Sequence, residues 1–469
     1  MTFSCPTSTY ITYFMQIFKS RKISFIPQWI ASIGVMLLFM QLGFITGCVS
    51  PMLAKLTGPN SPIALNQEEA SWMASLVNIG RFCGAIVGSL VTVHFGTKNA
   101  ILATSIPIAL GWLGIAIAES VEILYIARLL SGVGAGMAFS CFPSYLGEIA
   151  MPEVRGALVS LATCGGPTGL LLGSIISNYL SIGVSACVYL TFCIWLMALF
   201  LYLPESPHHL IKIGNRKKAE MSINWYRSGK GTQEELESLE KFMASEKTIT
   251  FINRLREFKN SDVRKITYHV MILFTFMQIC GLNSIVFYLE IIMRRAKNSR
   301  AAEIVIFINI CATIGALFSM LLIDRCGRRF LLLTSSIGVT ISMFSMMSYF
   351  FIIDVDLDVT NLQWLPIASM ISFMFFFFIG LNSVPSTVSS EIIPSNVKCI
   401  VSCLGSLTAG IIAFLSSKSY QPLVNFVGEA YMFLIYGLFA LSVIPYVLFA
   451  MPETKGKSLR EIQDELTKK

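Results

Sequence analysis

The sequence carries little charge for its length. Of its 469 residues, only 13% are Asp, Glu, Lys or Arg, whereas 54% are hydrophobic. A typical soluble domain has about 25% charged residues, so a chain of this composition lacks the polar surface that keeps a globular protein in solution. The composition excludes an ordinary soluble enzyme and indicates an integral membrane protein.

Several chemical signals are also missing. The 12 cysteines include no Cys-x-x-Cys pair and mostly stand inside apolar runs, which argues against a disulfide framework or a zinc site. The four histidines show neither nucleophile–base nor metal-ligand spacing. We therefore expect no enzyme activity, no catalytic residue, no metal and no cofactor.

Long apolar runs fill most of the chain instead. The first, from about 29 to 49, follows Lys19, Arg21 and Lys22, which is typical of a membrane span with a cytosolic flank rather than a cleaved signal peptide. Eleven further runs of about 20 residues follow. Their centres lie near Ala85, Ile108, Gly134, Leu170, Cys193, Ile279, Ala312, Ile341, Met374, Ile411 and Leu438. We number the twelve predicted spans 1 to 12 in chain order.

The distribution of charge predicts the orientation. Twelve spans put both termini on one side, and most Lys and Arg lie in the segments on that side, so both termini are predicted to be cytosolic. The plasma membrane is the default location for such a protein. The exception is a basic cluster, residues 294–300, on the outer side, which we expect to be a solvated loop.

The polar turns between spans form an internal repeat. The matching turns are His94–Lys98 with Asp324–Arg329, Glu148–Gly156 with Glu391–Lys398, and Pro204–Pro207 with Pro452–Lys455. Three features in one order, about 240 residues apart, indicate a duplicated six-span unit. The predicted fold is an all-α membrane protein with two pseudo-symmetric six-helix halves, 27–203 and 266–450. A cytosolic linker of short helices, 204–265, joins the halves, and cytosolic segments 1–26 and 451–469 flank them.

Six motifs in this framework carry a family resemblance. They are Arg128-Leu-Leu-Ser-Gly132, Tyr145-Leu-Gly-Glu-Ile149 with Pro152-Glu-Val-Arg-Gly156, Pro204-Glu-Ser-Pro207, Gln278-Ile-Cys-Gly-Leu-Asn283, Asp324-Arg-Cys-Gly-Arg-Arg329 and Pro452-Glu-Thr-Lys-Gly-Lys-Ser-Leu459. Together they resemble the sugar porters of the major facilitator superfamily, especially the facilitated trehalose transporter-like members. The resemblance implies the major facilitator fold and alternating-access transport of a sugar such as trehalose or glucose. It implies a lipid bilayer around the protein, and neither nucleic acid nor an obligate protein partner.

The resemblance also implies a cytosolic gate of charged residues at the span ends, which closes when the cavity opens outward. The gate residues would be Glu148, Arg155 and Glu205 in the first half and Asp324, Arg325, Arg328, Arg329, Glu391, Lys398 and Glu453 in the second. The first half departs from the family pattern, because Gly96-Thr97-Lys98 stands where Gly-Arg-Arg is usual. Fewer arginines on that side can form bidentate pairs with carboxylates, which predicts a less stable outward-facing state. The alternative for these residues is ordinary charge at loop ends.

The sugar site is predicted in the cavity between the halves. Sugar hydroxyls need amide or hydroxyl partners beside apolar and aromatic surfaces. The predicted substrate-binding residues are Gln278, Asn283, Phe287 and Tyr288 in span 7, Thr163 in span 5, and Asn382 and Ser386 in span 10. The resemblance implies that Gln278 and Asn283 contact the sugar and that Phe287 and Tyr288 lie near the outer gate. The alternative for the two amides is hydrogen bonding between helices.

Some family features are absent, which leaves the solute open. Met277, Ala312 and Ala409 stand where the family has amides, and each lost hydrogen bond is worth about 0.5–1.5 kcal/mol. Ile45 occupies the span 1 position where proton-coupled members have a carboxylate, which predicts passive facilitated diffusion. Arg81 inside span 2 is unexpected. A facilitator of another small solute, such as a polyol or an organic anion, and a non-transporting sugar sensor remain alternatives.

Overall fold

The computed structural model describes residues 25–58, 61, 63–151, 154–228, 232–246, 257–393 and 397–454. Within these ranges the regular structure is helical, and 12 helical segments are long and apolar enough to cross a membrane. Spans 1 to 6 are Ile26–Leu56, Gln67–Phe95, Thr97–Ala116, Val121–Ile149, Arg155–Tyr179 and Ile182–Tyr202. Spans 7 to 12 are Ser261–Arg295, Ala301–Ile323, Arg328–Asp354, Thr360–Ile392, Ile400–Val427 and Glu429–Phe449. The predicted number and approximate positions of the spans are confirmed.

Three spans are interrupted near the middle of the molecule. Span 1 is two helices, Ile26–Gly47 and Val49–Leu56, and span 7 is two helices that meet at Gly281. Gly281 has φ +88°, a backbone conformation that glycine adopts without strain. Span 10 contains a π-helical turn, Phe377–Leu381. Breaks of this kind free backbone groups and redirect side chains, and they are frequent at functional sites.

Small residues let the helices of the first half approach closely. A β-carbon on Gly165 or Gly169 of span 5 would collide with the carbonyl oxygen of Met36 or Met40 in span 1. Span 2 meets span 4 in the same way, since a β-carbon on Gly84 would collide with Val133. Lipid tails are as apolar as the side chains, so the burial of apolar surface contributes little to helix association in a membrane. Close contacts at small residues therefore contribute to the packing of these helices.

The linker between the halves forms short helices, Pro207–Lys212, Arg216–Arg227 and Thr232–Glu246, with the 3₁₀ turn Glu257–Lys259 before span 7. We call the side of the membrane on which the linker lies the inner side. The helices share a small core that includes Leu210, Ile223 and Leu236. Gln28 of span 1 donates to the carbonyl oxygen of Tyr226 at 3.1 Å, so the linker is attached to the first half.

The basic cluster 294–300 is not simply a solvated loop. Span 7 continues as a helix through Arg295. Arg294 pairs with Glu290 at 2.7 Å, and Arg295 pairs with Glu429 of span 12 at 2.6 Å. Both carboxylates are buried, so these two guanidiniums compensate charges that the apolar surroundings would otherwise disfavour. The expectation was wrong for both residues: Glu290 lies four residues before Arg294 on the same helix, and tertiary packing brings Glu429 to Arg295.

Candidate functional site

The two halves are joined on the outer side. The amide of Asn78 in span 2 donates to the hydroxyl of Ser417 in span 11 at 3.1 Å. The hydroxyl of Ser50 in span 1 accepts from the backbone of Glu290 in span 7 at 2.8 Å. Asn309 of span 8 donates to Ser174 of span 5 at 3.0 Å. These hydrogen bonds close the molecule on its outer side, as expected for an inward-facing arrangement.

The predicted amides of span 7 lie together at its break. Asn283 donates to the side-chain oxygen of Gln278 at 2.5 Å, across the turn made by Gly281. Both side chains are buried. The next residue, Ser284, is hydrogen-bonded to Ser416 of span 11 at 3.1 Å. The pair therefore lies just inward of the contacts that join the halves, with one amide positioned by the other.

Phe287 and Tyr288 are closed off from the cavity in this state. Each is only 1% exposed, and the ring of Tyr288 stacks on Tyr420 of span 11 at 4.8 Å between centroids. They lie one to two turns outward of the amide pair, within the packed outer region. This position fits a role in outer closure and gives neither ring a solute-facing surface here.

The remaining predicted contacts lie on open faces. Thr163 and Ser386 are exposed, and Asn382 is half-buried directly after the π-helical turn of span 10. Both hydroxyls donate to carbonyl oxygens of their own helices, Thr163 to Val159 at 3.1 Å and Ser386 to Ser383 at 2.9 Å. Each oxygen keeps acceptor capacity for a ligand hydroxyl.

The inner turn of the first half is organised by two glutamates. The carboxylate of Glu205 accepts hydrogen bonds from the backbone of Lys98 at 3.0 Å and Asn99 at 3.3 Å, at the beginning of span 3. Glu148 accepts from the hydroxyl of Thr97 at 2.8 Å. A carboxylate at a helix N-terminus satisfies unpaired N–H groups and interacts favourably with the helix dipole. Burial lowers the pKa of the neighbouring His209, which Glu205 raises and Lys212 lowers.

The inner turn of the second half repeats this arrangement with a stronger pairing. Glu453 accepts from the backbone of Arg328 and of Arg329, both at 3.1 Å, at the beginning of span 9. Arg328 donates its guanidinium to Glu391 at 2.8 Å. Gly327 has φ +88° and its counterpart Gly96 has φ +91°, so the two turns share one backbone geometry.

The other predicted gate residues lie around these clusters. Arg155 is exposed and donates to the carbonyl oxygen of Ala150 at 3.3 Å, and Arg329 donates to that of Leu448 at 2.8 Å. Arg325 is exposed. The side chains of Asp324 and Lys398 lie outside the described residues. The structure thus brings gate residues together within each half.

Sequence reasoning missed the polar network inside the first half. Arg128 of span 4 is fully buried and donates to the carbonyl oxygen of Ile45 at 2.9 Å, near the break in span 1. Gln41 of span 1, also fully buried, accepts from the indole of Trp112 at 2.8 Å. A charge or amide inside an apolar run was the available signal, because such a group in a membrane span requires a polar partner.

Comparison with known proteins agrees with this architecture. The model of the family described as "Sugar (and other) transporter" matches residues 28–466. Facilitated trehalose transporters Tret1 from Polypedilum vanderplanki and Bombyx mori are each 29% identical to this chain, covering 94% and 96% of it and 88% of their own lengths.

Solved structures show the same fold. The xylose transporter XylE from E. coli in an inward-open conformation superimposes with a TM-score of 0.75 at 18% identity, covering 93% of this chain and 99% of that one. The proton:xylose symporter XylE bound to a bromodeoxyglucose gives 0.74 at 19% identity, covering 94% and 98%. With twelve spans in two halves and a family match over nearly its whole length, the chain belongs to the sugar (and other) transporter family of the major facilitator fold.

Proposed function

We propose that the chain is a facilitator that moves a sugar, such as trehalose or glucose, down its gradient by alternating access. The observation that carries this proposal is the buried Gln278–Asn283 pair at the break of span 7. Gln278 and Asn283 are 1% and 8% exposed in this state, and once a solute enters they would offer it donors and acceptors without any charge. The related Tret1 proteins, named as facilitated trehalose transporters, support the same solute class.

The charged inner turns would serve as the gate. In the outward-facing state, the cluster around Glu148 and Arg155 would contact the cluster around Arg328 and Glu391, closing the inner side. In the inward-facing state each cluster keeps its own hydrogen bonds, so the gate separates without leaving the Glu391 carboxylate unpaired. Contacts that differ between two states are what makes a conformational equilibrium responsive to a solute.

Transport would be passive and located in the plasma membrane. Ile45 supplies its backbone carbonyl to Arg128, and its side chain has no group to carry a proton. Both termini and the linker would lie in the cytosol, since the basic residues concentrate on that side. We propose no enzymatic reaction, no nucleic-acid binding and no obligate protein partner.

Uptake of labelled trehalose and glucose into cells that express the chain tests this function. We expect saturable uptake that a proton uncoupler does not reduce. Accumulation above equilibrium that collapses with the uncoupler would contradict passive transport. Absence of saturable flux, with the protein shown at the cell surface, would contradict sugar transport itself.

Asn283→Ala tests the site within the same assay. Losing one amide from the pair should raise KM about 2- to 10-fold, the factor that corresponds to one net hydrogen bond. Asn361→Ala is the matched control, because Asn361 is an exposed amide in the outer turn Thr360–Leu362. Equal KM values for Asn283→Ala and Asn361→Ala would exclude Asn283 as a solute-binding residue.

A further inference from the structure

Arg81 lies at the centre of span 2 without a described counter-ion. It is the middle residue of this 29-residue helix, about 21 Å from either end, too far for its side chain to reach a membrane surface. In the part of the chain that the structure describes, no carboxylate lies within ion-pair distance of it. Its guanidinium lies over the ring of Phe139, 4.7 Å from the centroid.

The neighbours of Arg81 place its guanidinium toward the cavity. Phe139 belongs to span 4 and packs edge-on against Phe39 of span 1 at 5.8 Å, so the guanidinium lies beside the contact between spans 4 and 1. The next residue in span 2, Phe82, meets Gly410 of span 11 in the other half. Arg81 is only half-buried among these neighbours, so it keeps an exposed surface beside the junction with the other half.

Arg81 lies at nearly the same depth as the amide pair of span 7. Asn78, one helical turn outward of Arg81, bonds Ser417 of span 11. The adjacent Ser416 bonds Ser284, which follows Asn283. Two consecutive residues of span 11 therefore relate the position of Arg81 to that of the amides. Both groups lie just inward of the hydrogen bonds that join the halves on the outer side.

We infer that the cavity binds an anionic, polyhydroxylated solute: a sugar monocarboxylate such as a uronate, whose carboxylate pairs with Arg81. This deepens the proposed sugar transport and rests on it. An uncompensated cation at the membrane midplane is energetically unfavourable. A bound carboxylate offsets this cost by accepting two parallel hydrogen bonds from the guanidinium. One guanidinium balances one negative charge, so a monoanion fits better than a phosphate dianion. The ring hydroxyls of the solute would then form hydrogen bonds with Gln278 and Asn283, and the apolar face of its ring would pack against Phe139.

Glucuronate and glucose form a matched pair of probes, because they differ only in the carboxylate at C6. Binding to the purified full chain is measured as the shift in thermal unfolding with concentration, at constant ionic strength, since a ligand that binds the folded state stabilises it by mass action. We expect glucuronate to bind about 10- to 100-fold tighter than glucose, the factor expected for a charged hydrogen bond. Equal or weaker binding of glucuronate would overturn the inference.

Variants then assign the preference to Arg81. Arg81→Gln should abolish the preference for glucuronate while leaving glucose binding within about 3-fold, and Arg81→Lys should retain part of it because the charge remains. Arg216→Gln, which removes the same charge from the exposed linker, should leave the preference intact. Equal weakening of both ligands by Arg81→Gln would show a structural role and overturn the inference. If Arg81→Gln does not fold, the glucuronate preference of the wild type and its partial retention in Arg81→Lys test the inference instead.

The inference and the proposed transport fail in different ways. Saturable glucose or trehalose flux without a preference for glucuronate would leave the proposed function standing and overturn the anion site. A glucuronate preference that depends on Arg81 would support the anion site. Absence of flux for glucuronate and both sugars would contradict transport instead.

Discussion

The inner turns of the two halves have the same backbone and different charges. In both, a glycine with φ near +90° begins a span, and a glutamate from after the sixth helix of that half, Glu205 or Glu453, accepts from the first backbone N–H groups. The second half adds the ion pair of Arg328 with Glu391, whereas the first has the hydrogen bond of Thr97 with Glu148. Duplication thus preserved the helix capping, while the side-chain pairing above it diverged.

The two halves share the helix capping and differ in the guanidinium pairing. Unsatisfied N–H groups at a helix start have to be paired in either half, so the capping glutamates are structural in both. The guanidinium pairing is additional. The first half forms its turn without it, which leaves Glu148 available to a partner from the other half in the outward-facing state.

The largest expected effect comes from breaking the second-half pair. Arg328→Ala removes a nearly buried guanidinium and leaves Glu391 uncompensated, which should lower the free energy of unfolding by about 2–3 kcal/mol. This is less than for a fully buried pair, because the Glu391 side chain is 26% exposed. Thr97→Ala removes one hydrogen bond to a charged group and should cost about 1.5 kcal/mol. Thermal unfolding of the purified variants measures both, and equal losses would contradict the asymmetry between the halves.

A second prediction concerns the conformational equilibrium rather than stability. Arg155 makes its described hydrogen bond within its own half, so Arg155→Ala should leave the inward-facing state nearly intact and weaken the outward-facing one. Losing one such contact should shift the population inward about 2- to 10-fold. Maleimide labelling from the inner side of a cysteine at Gly147, which has open space around it, measures the shift.

The labelling requires two controls. The same chain without the added cysteine gives the background from native thiols. Arg216→Ala, in the exposed linker, should leave labelling unchanged. Unchanged labelling in Arg155→Ala as well would exclude Arg155 from the gate.

The weakest effect is a pH dependence that arises at His209, beside the inner turn of the first half. The pKa of His209 is lowered mainly by burial, so the folded state binds fewer protons than the unfolded state near pH 6. Its contribution to stability is therefore present above about pH 6.5 and is lost as the pH falls below that value. Between pH 7.5 and 5.5, Tm should fall less in His209→Gln than in the wild type, by at most about 2 °C because His209 is partly exposed. An identical fall in both proteins would contradict this assignment.

The spans could be predicted from the sequence more completely than the site. The spans followed from the length of the apolar runs, because a membrane-crossing helix needs about 20 such residues whatever its neighbours are. The close packing of span 5 on span 1 is open to the same reasoning, since Gly165 and Gly169 stand four residues apart and close helix approach requires small residues at regular spacing. The proximity of Gln278 and Asn283 was suggested by their short separation around Gly281.

Other parts of the site could not be predicted. Arg295 pairs with Glu429, which belongs to a span far along the chain, whereas the pair of Arg294 with Glu290 is local to one helix. Asn309 turned out to bond Ser174 across the halves, which occupies its amide donor on the outer side. Such pairings depend on which helix faces meet, and an apolar run gives little indication of its facing direction.

The sequence alone determined the class, the number of spans and the duplication, because hydrophobic length and repeated polar turns are local properties of the chain. The closure of the outer side, the pairing within each inner cluster, and the common depth of Arg81 and the amides of span 7 depend on tertiary structure. These are relations between helices distant in sequence, and they are set by the packing of the two halves.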